Sequence, residues 1–288
     1  MKKVDFDNEF KNPGSEYRSI PFWAWNDELD TDEIRRQIRE MKSCGIGGFF
    51  IHSRDGLETE YLSDKWFECV SAAVDEAKKS GMFSWLYDED RWPSGTCGGS
   101  ITATDKNGCK GLTLEGCFSV PEKIEGNVLV LYKAEVHEME IYSLERICNA
   151  DGLILSDKEA LLIARLEVSG KSEWFNNSAP PDNLSFDTVS DFINNTHKIY
   201  KKAVGSEFGK TIPGIFTDEP SLADRHASFN PNRSWIPWTE EFEKYFFEKR
   251  GYDVLDMIPY FYFNGEKSAK IRHDYWRTVS ERFKEAYS

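Results

Sequence analysis

The sequence lacks an excess of positive charge and long apolar runs, and its first residues are not those expected of a signal peptide. Its 36 Lys and Arg residues are outnumbered by 50 Asp and Glu residues, which gives a net charge of −14. Nucleic acids and anionic membranes bind basic faces, so neither is expected as a partner. No stretch approaches the ~18 consecutive apolar residues of a membrane span. Because no apolar run follows Lys2 and Lys3, we expect a cytoplasmic protein.

The sequence also lacks the spacings of common metal sites. Its six cysteines include no Cys-x-x-Cys pair, which favours reduced and mostly buried thiols. Zinc binding by Cys97, Cys109 and Cys117 is the alternative interpretation. No EF-hand spacing is present, so no local motif supports a calcium site.

Aromatic residues, in contrast, are plentiful. They make up 14% of the 288 residues, and nine of them are Trp. Two interpretations are open. One is an aromatic-rich core, and the other is sugar binding, in which ring faces stack on the apolar C–H faces of pyranosides.

Apolar runs and helical patterns alternate in the first 90 residues. Three strands are predicted over residues 19–25, 47–52 and 82–87. Asp30 and Ser63 are the expected N-terminal caps of the two helices between them, with Glu33 closing a capping box on the first. Gly45 and Gly81 are the expected helix ends. This order, with short connections, predicts a parallel sheet.

The pattern changes in the middle of the chain. From about residue 110 to residue 169, apolar side chains recur at every second position, which predicts an antiparallel β insertion. Helical spacing returns at Asp187 and leads to a fourth strand beginning at Gly214. A helix capped by Thr239 and a last helix over residues 267–288 are predicted after it.

These elements predict an α/β fold of the (β/α)8 TIM-barrel type. The barrel is expected to be incomplete, because it needs eight strands and the sequence offers four or five. The predicted segments are a first half of the barrel (1–109), an inserted antiparallel β subdomain (110–170) and a continuation of the barrel (171–288). Because a half barrel leaves an open apolar sheet edge, we expect self-association, a partner or a missing C-terminal half to complete it.

Two predicted strand ends share one arrangement. Residues 83–93 and 214–220 are each an apolar run that ends in acidic residues and then in a proline. Proline cannot donate to a strand ladder, so the acids lie where strand passes into loop. Cleavage of a glycosidic bond needs two carboxyl groups, about 6.5–9.5 Å apart for inversion or about 5–5.5 Å for retention. Glu89 and Glu219 are the candidate pair, and a helix cap or a surface charge is the alternative for either one.

Other polar and aromatic side chains follow the same strand ends. The predicted substrate-binding residues are Trp23, Trp25, Asn26, His52, Arg54, Asp88, Asp90, Arg91, Trp92 and Asp218. For His52 and Arg54, a structural ion pair is the alternative. Asp88, Asp90 and Asp218 are alternatively ligands of a divalent cation, since calcium takes six to eight oxygen atoms.

Several strings resemble glycoside hydrolase family 106, the α-L-rhamnosidase-like proteins. They are residues 21–26, 47–54, 61–63, 85–95 and 214–220. The string Trp-Leu-Tyr-Asp-Glu-Asp-Arg-Trp-Pro-Ser-Gly at 85–95 is specific, and the resemblance runs from about residue 19 to the end. It implies a (β/α)8 catalytic barrel, an inverting mechanism that uses two glutamates, and Ca²⁺ in contact with sugar hydroxyls. Glu219 and Glu89 are the matching glutamates. Such enzymes are far longer, with further barrel strands and β-sandwich domains.

The sequence therefore predicts a glycosidase (an O-glycosyl hydrolase) with a carbohydrate substrate, acting on α-L-rhamnosides or related glycosides by carboxylate general acid/base catalysis with inversion. Two alternatives remain. One is a non-catalytic carbohydrate-binding fragment in which Trp23, Trp25 and Trp92 bind the sugar. The other is a retaining glycosidase of the β-galactosidase type.

Overall fold

The computed structural model describes residues 6–222, 228–229 and 234–288. Residues 1–5, on which the expectation about the signal peptide rests, lie outside the described residues. The chain divides into two compact units. The first contains Met1–Ile101 and Ser190–Pro220, and the second contains Thr102–Val189 and Ser221–Ser288.

The structure contains the following elements. The helices are α1 (Phe6–Lys11), α2 (Thr31–Ser43), α3 (Asp64–Ser80), α4 (Phe186–Asn195), α5 (His197–Val204), α6 (Phe242–Arg250), α7 (Pro259–Tyr262) and α8 (Ser268–Tyr287). The strands are β1 (Phe22–Trp25), β2 (Gly48–Ser53), β3 (Phe83–Tyr87), β4 (Lys110–Cys117), β5 (Val128–His137), β6 (Glu140–Ile147), β7 (Glu159–Val168), β8 (Ile215–Phe216) and β9 (Ser234–Trp238).

The first unit is built on a parallel sheet of four strands in the order β1-β2-β3-β8. The predicted order of strands and helices and their parallel pairing are confirmed. Trp25 pairs with Ser53, and Tyr87 pairs with Phe216, so the carboxyl ends of adjacent strands lie side by side. Strand β8 is only two residues long.

Local signals set the helices of this unit. The Asp30 carboxylate accepts the backbone N–H groups of Asp32 and Glu33 at the start of α2, and the Ser63 hydroxyl accepts that of Trp66 at the start of α3. The predicted capping box is incomplete, because the Glu33 carboxylate binds Arg36 and Gln37 instead. Gly81 follows α3 with a φ of +62°, the left-handed conformation that suits glycine at a helix end.

The two faces of the parallel sheet differ because side chains alternate along each strand. Trp25, Phe49, Ile51 and Leu86 belong to a buried cluster that also holds side chains of α2 and α3, including Trp66. The opposite face presents the rings of Phe22, Phe50, Trp85, Tyr87 and Phe216. Phe22 lies with its ring centre 4.9 Å from that of Phe50 and 5.1 Å from that of Phe216, and it remains 51% exposed.

The single helix predicted from Asp187 is two helices, α4 and α5. Thr196 interrupts them with non-helical backbone angles (φ −121°, ψ −74°), and its hydroxyl lies 2.7 Å from Cys97 Sγ. Phe192, Thr196 and Tyr200 are all buried.

The second unit contains an antiparallel sheet in the order β6-β5-β7-β4-β9. The first four of these strands lie within the predicted β insertion. Strand β9 was not predicted, because Pro237 interrupts its ladder. Proline is tolerated there since β9 lies at the edge of the sheet and, among the described strands, pairs with β4 alone. The sheet packs on a buried cluster that includes Tyr132, Trp238, Phe242 and Tyr275.

Two further predictions differ from the structure in this unit. Thr239 does not cap α6; its hydroxyl donates to Asp182 Oδ2 at 2.7 Å, and α6 begins three residues later at Phe242. Residues 171–288 do not act as one continuation of the parallel barrel, because Ser221–Ser288 belongs with the antiparallel sheet. The described residues form a mixed α/β fold in which no closed barrel is found, since their sheets contain only four parallel strands.

Candidate active site

Polar residues follow the carboxyl ends of all four parallel strands. Asn26, Arg54, Asp88 and Thr217 come directly after strands β1, β2, β3 and β8. Because neighbouring strands of a parallel sheet run in register here, these four ends lie along one edge of the sheet. This edge is the candidate site, as the sequence predicts.

The Glu89 carboxylate is fully enclosed by backbone N–H groups. Its Oε2 accepts from Gly95 (3.0 Å), Thr96 (2.7 Å) and Cys97 (3.0 Å), and its Oε1 accepts from Gly98 (2.6 Å) and from Asp90 (2.9 Å). The side chain is 0% exposed. Burial raises the pKa of Glu89 to about 7, and the N–H donors oppose this rise. Its oxygens are therefore out of reach of a substrate, which differs from the predicted role as acid or base.

Asp88 is also buried and fully engaged. Its Oδ1 accepts the Ser94 hydroxyl at 2.6 Å, and its Oδ2 accepts the Thr217 hydroxyl at 2.6 Å and contacts His197 Nε2 at 2.9 Å. The predicted contact of Asp88 with a substrate is not what the structure shows, because three side chains already occupy its two oxygens. Sequence reasoning did not single out Ser94 or His197, and His197 has no local motif that would have identified it.

Asp218 is held at both its backbone and its side chain. Its backbone N–H donates to Ser94 Oγ at 2.9 Å, and its carbonyl accepts the Ser94 N–H at 2.8 Å. The Tyr87 hydroxyl donates to Asp218 Oδ2 at 2.6 Å. Burial and the Asp218 carboxylate both raise the pKa of Tyr87, so that the hydroxyl stays protonated and remains a donor.

Glu219 is exposed, in contrast to Glu89. Its side chain makes no hydrogen bond or ion pair with any residue that the structure describes. Its backbone has a φ of +41°, in the left-handed region that side chains with a Cβ rarely adopt. Such conformations concentrate at functional sites, where the surrounding structure holds them in place.

His52 lies beside this group with an unsatisfied ring nitrogen. The ring is 7% exposed, and its centre is 4.0 Å from that of Tyr87 and 5.1 Å from that of Phe22. Nε2 has no hydrogen-bond partner in the part of the chain that the structure describes. Burial and the positive charge of Arg54 lower the pKa of His52 to about 4, although Asp218 acts in the opposite direction. The imidazole is therefore neutral at pH 7.

The remaining polar residues at the edge pair with one another. The Arg54 guanidinium lies 4.6 Å from the centre of the Trp92 ring. The Ser53 hydroxyl donates to Asp90 Oδ1 at 2.5 Å, and Arg91 lies between Asp90 (3.6 Å) and Asp55 (3.4 Å). The alternative of a structural ion pair does not apply to His52, because its imidazole is neutral, and Arg54 contacts the Trp92 ring instead.

The two tryptophans of β1 lie away from this site. Trp25 is buried against Trp66 in the core, and Trp23 packs on Trp25 and donates from Nε1 to Gln37. Both point to the face of the sheet that α2 and α3 cover, so neither ring offers a surface for stacking on a sugar at the candidate site. Asn26, at the end of the same strand, is exposed.

The predicted cation ligands do not form a metal site. Among residues 6–222, 228–229 and 234–288, no group of three or more His, Cys, Asp or Glu side chains is arranged to hold a metal ion. Asp88, Asp90 and Asp218 instead accept hydrogen bonds from protein hydroxyl groups. The described donor set does not supply the six to eight oxygens that Ca²⁺ takes.

The cysteines likewise form no metal site or cross-link. Cys97 Sγ contacts the Thr196 hydroxyl, and Cys109 Sγ donates to the Leu222 carbonyl at 3.2 Å. None of the six cysteines, all of which are described, is in a disulfide. None of the described helices has the length and apolar composition that a membrane crossing requires.

Comparisons with known proteins give one similar structure. Neither a family model nor a curated protein matches the sequence. The solved structure of the rhamnosidase from Novosphingobium sp. PP1Y is similar, with a TM-score of 0.60 and 12% sequence identity. The similar region covers 99% of this chain and 45% of the rhamnosidase chain, so this chain spans less than half the length of that protein. At this identity the similarity shows the fold, a mixed α/β architecture shared with a rhamnosidase.

Proposed function

We propose that this chain forms part of the catalytic centre of a glycoside hydrolase that acts on α-L-rhamnosides or related glycosides. The observation that supports this proposal most directly is Glu219, an exposed carboxylate at the carboxyl edge of a parallel sheet. The strings that resemble family 106 and the fold similarity to a rhamnosidase support the substrate class.

Glu219 is suited to general acid or general base catalysis. In an inverting reaction, one carboxyl group protonates the leaving oxygen while the other activates a water molecule on the opposite face of the sugar. Either role requires a carboxyl oxygen that can reach the substrate. Glu219 meets this requirement because its side chain is exposed and makes no hydrogen bond or ion pair with another described side chain.

The second catalytic carboxyl group comes from outside the four parallel strands. Glu89, the partner that the sequence suggests, has both oxygens occupied by five backbone N–H groups. Two observations support an external partner. The sheet is open at β1 and β8 among the described residues, and the chain covers 45% of the similar rhamnosidase.

Substrate contacts would come from Arg54, Trp92 and Asp218. His52 is not among them, because its ring nitrogen Nε2 is buried. The Trp92 ring is half-buried, and the Arg54 guanidinium that lies over it would supply N–H donors to the sugar. Asp218 Oδ1 adds an acceptor next to the Tyr87 hydroxyl.

The test is hydrolysis of an aryl α-L-rhamnoside by this chain together with the partner that supplies the second carboxyl group, with the chain either native or carrying Glu219→Gln or Glu248→Gln. Glu248 is a matched control, since it is an exposed glutamate on α6 in the other unit. We expect Glu219→Gln to lower kcat by about 10²–10⁴-fold and Glu248→Gln to leave it unchanged. Undiminished turnover in Glu219→Gln would refute the proposal. NMR of the first sugar product then distinguishes inversion from the retaining alternative.

The complete burial of Glu89 favours one other function, sugar binding without turnover. With Glu89 buried, Glu219 is the one exposed glutamate of the predicted pair at the carboxyl edge of the parallel sheet. This alternative predicts calorimetric binding of rhamnose that is equal in the native chain and in Glu219→Gln, with no hydrolysis by either. Trp92→Ala should weaken that binding.

A further inference from the structure

We propose that Glu89 is a positioning residue for Glu219, and that it acts through the loop 95–98 and Ser94. This inference rests on the proposed role of Glu219 at the site. The connection between the two glutamates consists of hydrogen bonds whose distances are known, and each one lies within the first unit.

The first step is the loop that encloses Glu89. Four successive backbone N–H groups, from Gly95 to Gly98, point at its carboxylate. The chain achieves this with positive φ angles at Gly95 (+136°), Cys97 (+53°) and Gly98 (+65°). Converging N–H groups form an anion-binding concavity. Here the anion is a side chain of the protein, so the loop conformation depends on Glu89.

The second step is Ser94, the residue directly before this loop. Its N–H donates to the Asp218 carbonyl, and its hydroxyl accepts the Asp218 N–H while donating to Asp88 Oδ1. Ser94 is 0% exposed. The loop that Glu89 orders is thereby joined to the backbone of the residue that precedes Glu219.

The third step is the backbone of Glu219. Asp218 is fixed by Ser94 at the backbone and by Tyr87 at the side chain. A left-handed non-glycine residue persists where its surroundings determine its conformation. The direction in which Glu219 projects from the sheet edge therefore follows from the position of Asp218, and through Ser94 from Glu89.

Two substitutions interrupt the connection at different steps. In Glu89→Gln, either orientation of the amide places an NH2 group against backbone N–H donors, because both oxygens of Glu89 are acceptors. Ser94→Ala removes the hydroxyl and keeps the backbone bond to Asp218. Thr59→Val is the matched control: the Thr59 hydroxyl also accepts a backbone N–H, from Leu29 at 2.9 Å, and is buried in the same unit.

The first measurement is steady-state hydrolysis of an aryl α-L-rhamnoside. Glu89→Gln and Ser94→Ala should each lower kcat by about 10- to 100-fold, since small misplacements of a reacting group have effects of this size. KM should stay within about twofold, because the groups that contact the sugar are unchanged. A loss of kcat that Thr59→Val reproduces, or a change confined to KM, would overturn the proposal.

The second measurement does not depend on turnover. In amide-detected NMR of the ¹⁵N-labelled chain, Ser94→Ala and Glu89→Gln should shift the Glu219 amide resonance and speed hydrogen exchange at Asp218. Thr59→Val should do neither. If Glu89→Gln does not fold, Ser94→Ala alone decides the outcome. An unshifted Glu219 resonance in a folded variant would overturn the positioning role, whereas absent hydrolysis with these shifts present would instead contradict the proposed function.

Discussion

Glu89 in the first unit and Asp182 in the second are both almost completely buried carboxylates, but their hydrogen-bond partners differ in kind. Glu89 in the parallel-sheet unit is surrounded by backbone N–H groups alone. Asp182 in the antiparallel unit is 2% exposed and binds the Lys110 ammonium at 3.4 Å and the Thr239 hydroxyl. Burial raises the pKa of Asp182, and the charge of Lys110 opposes that rise.

The difference shows what each acid does for its unit. The donors of Glu89 come from one short loop, so Glu89 shapes that loop. The partners of Asp182 come from β4 and from the segment after β9, so Asp182 joins parts of the chain that are distant in sequence. Neither carboxylate is open to a ligand. An acidic residue that follows a strand is therefore not functional for that reason alone. Glu219 differs from Glu89 and Asp182 because its side chain is exposed.

The largest expected effect comes from breaking the ion pair of the second unit. Lys110→Met would leave Asp182 buried without its counter-ion, because the Lys110 side chain is only 5% exposed. We expect unfolding in urea to show a loss of about 3–5 kcal/mol. The double variant Lys110→Met with Asp182→Asn should recover part of this loss, since no charge is then buried. A loss below about 1 kcal/mol in the single variant would show that the pair does not stabilise this unit.

A smaller effect is expected from His52 in the first unit, and it depends on pH. The pKa of His52 is lowered from 6.5 to about 4, so the unfolded chain binds a proton that the folded chain excludes. The contribution of the neutral His52 imidazole to the free energy of unfolding is fully present above pH 6.5 and is lost as the pH falls towards 4. Between pH 7 and pH 5 we expect His52 to account for about 1–2 kcal/mol of lost stability.

The measurement is the free energy of unfolding at both pH values for the native chain and for His52→Gln. The variant should lose less stability on acidification than the native chain does. Equal losses in the two proteins would contradict a buried neutral imidazole. The Lys110–Asp182 ion pair of the second unit provides the contrast. Lys110→Met should destabilise that unit at pH 7, without acidification.

Much of the fold could be predicted because its signals are local. The caps at Asp30 and Ser63 and the glycine after α3 mark helix ends within a few residues. Strand β9 could not be recognised, since Pro237 is acceptable only on an edge, and the edge is a property of the assembled sheet.

The site was predictable in outline only. Alternation places Trp23 and Trp25 on one face of β1, but the sequence does not state that α2 and α3 cover that face. In the run Asp88-Glu89-Asp90, the sequence cannot tell which acid turns inward. The glycines at positions 95, 98 and 99 are the local signal that could have indicated a loop whose N–H groups converge on Glu89.

The smallest expected effect concerns the backbone of Glu219. A residue with a Cβ pays about 1–2 kcal/mol in the left-handed region, and glycine loses about 0.5–1 kcal/mol through its greater freedom in the unfolded chain. Glu219→Gly should therefore stabilise the first unit by about 0.5–1 kcal/mol, seen as a higher midpoint in urea. Glu219→Ala keeps the Cβ and is the control that should show no such gain. A destabilised Glu219→Gly would mean that the side chain supports the fold. A Glu219→Gly variant that is more stable but no longer hydrolyses the substrate would mean that the strained backbone serves to place the carboxylate. Glu89 differs, because its carboxylate serves the conformation of its loop.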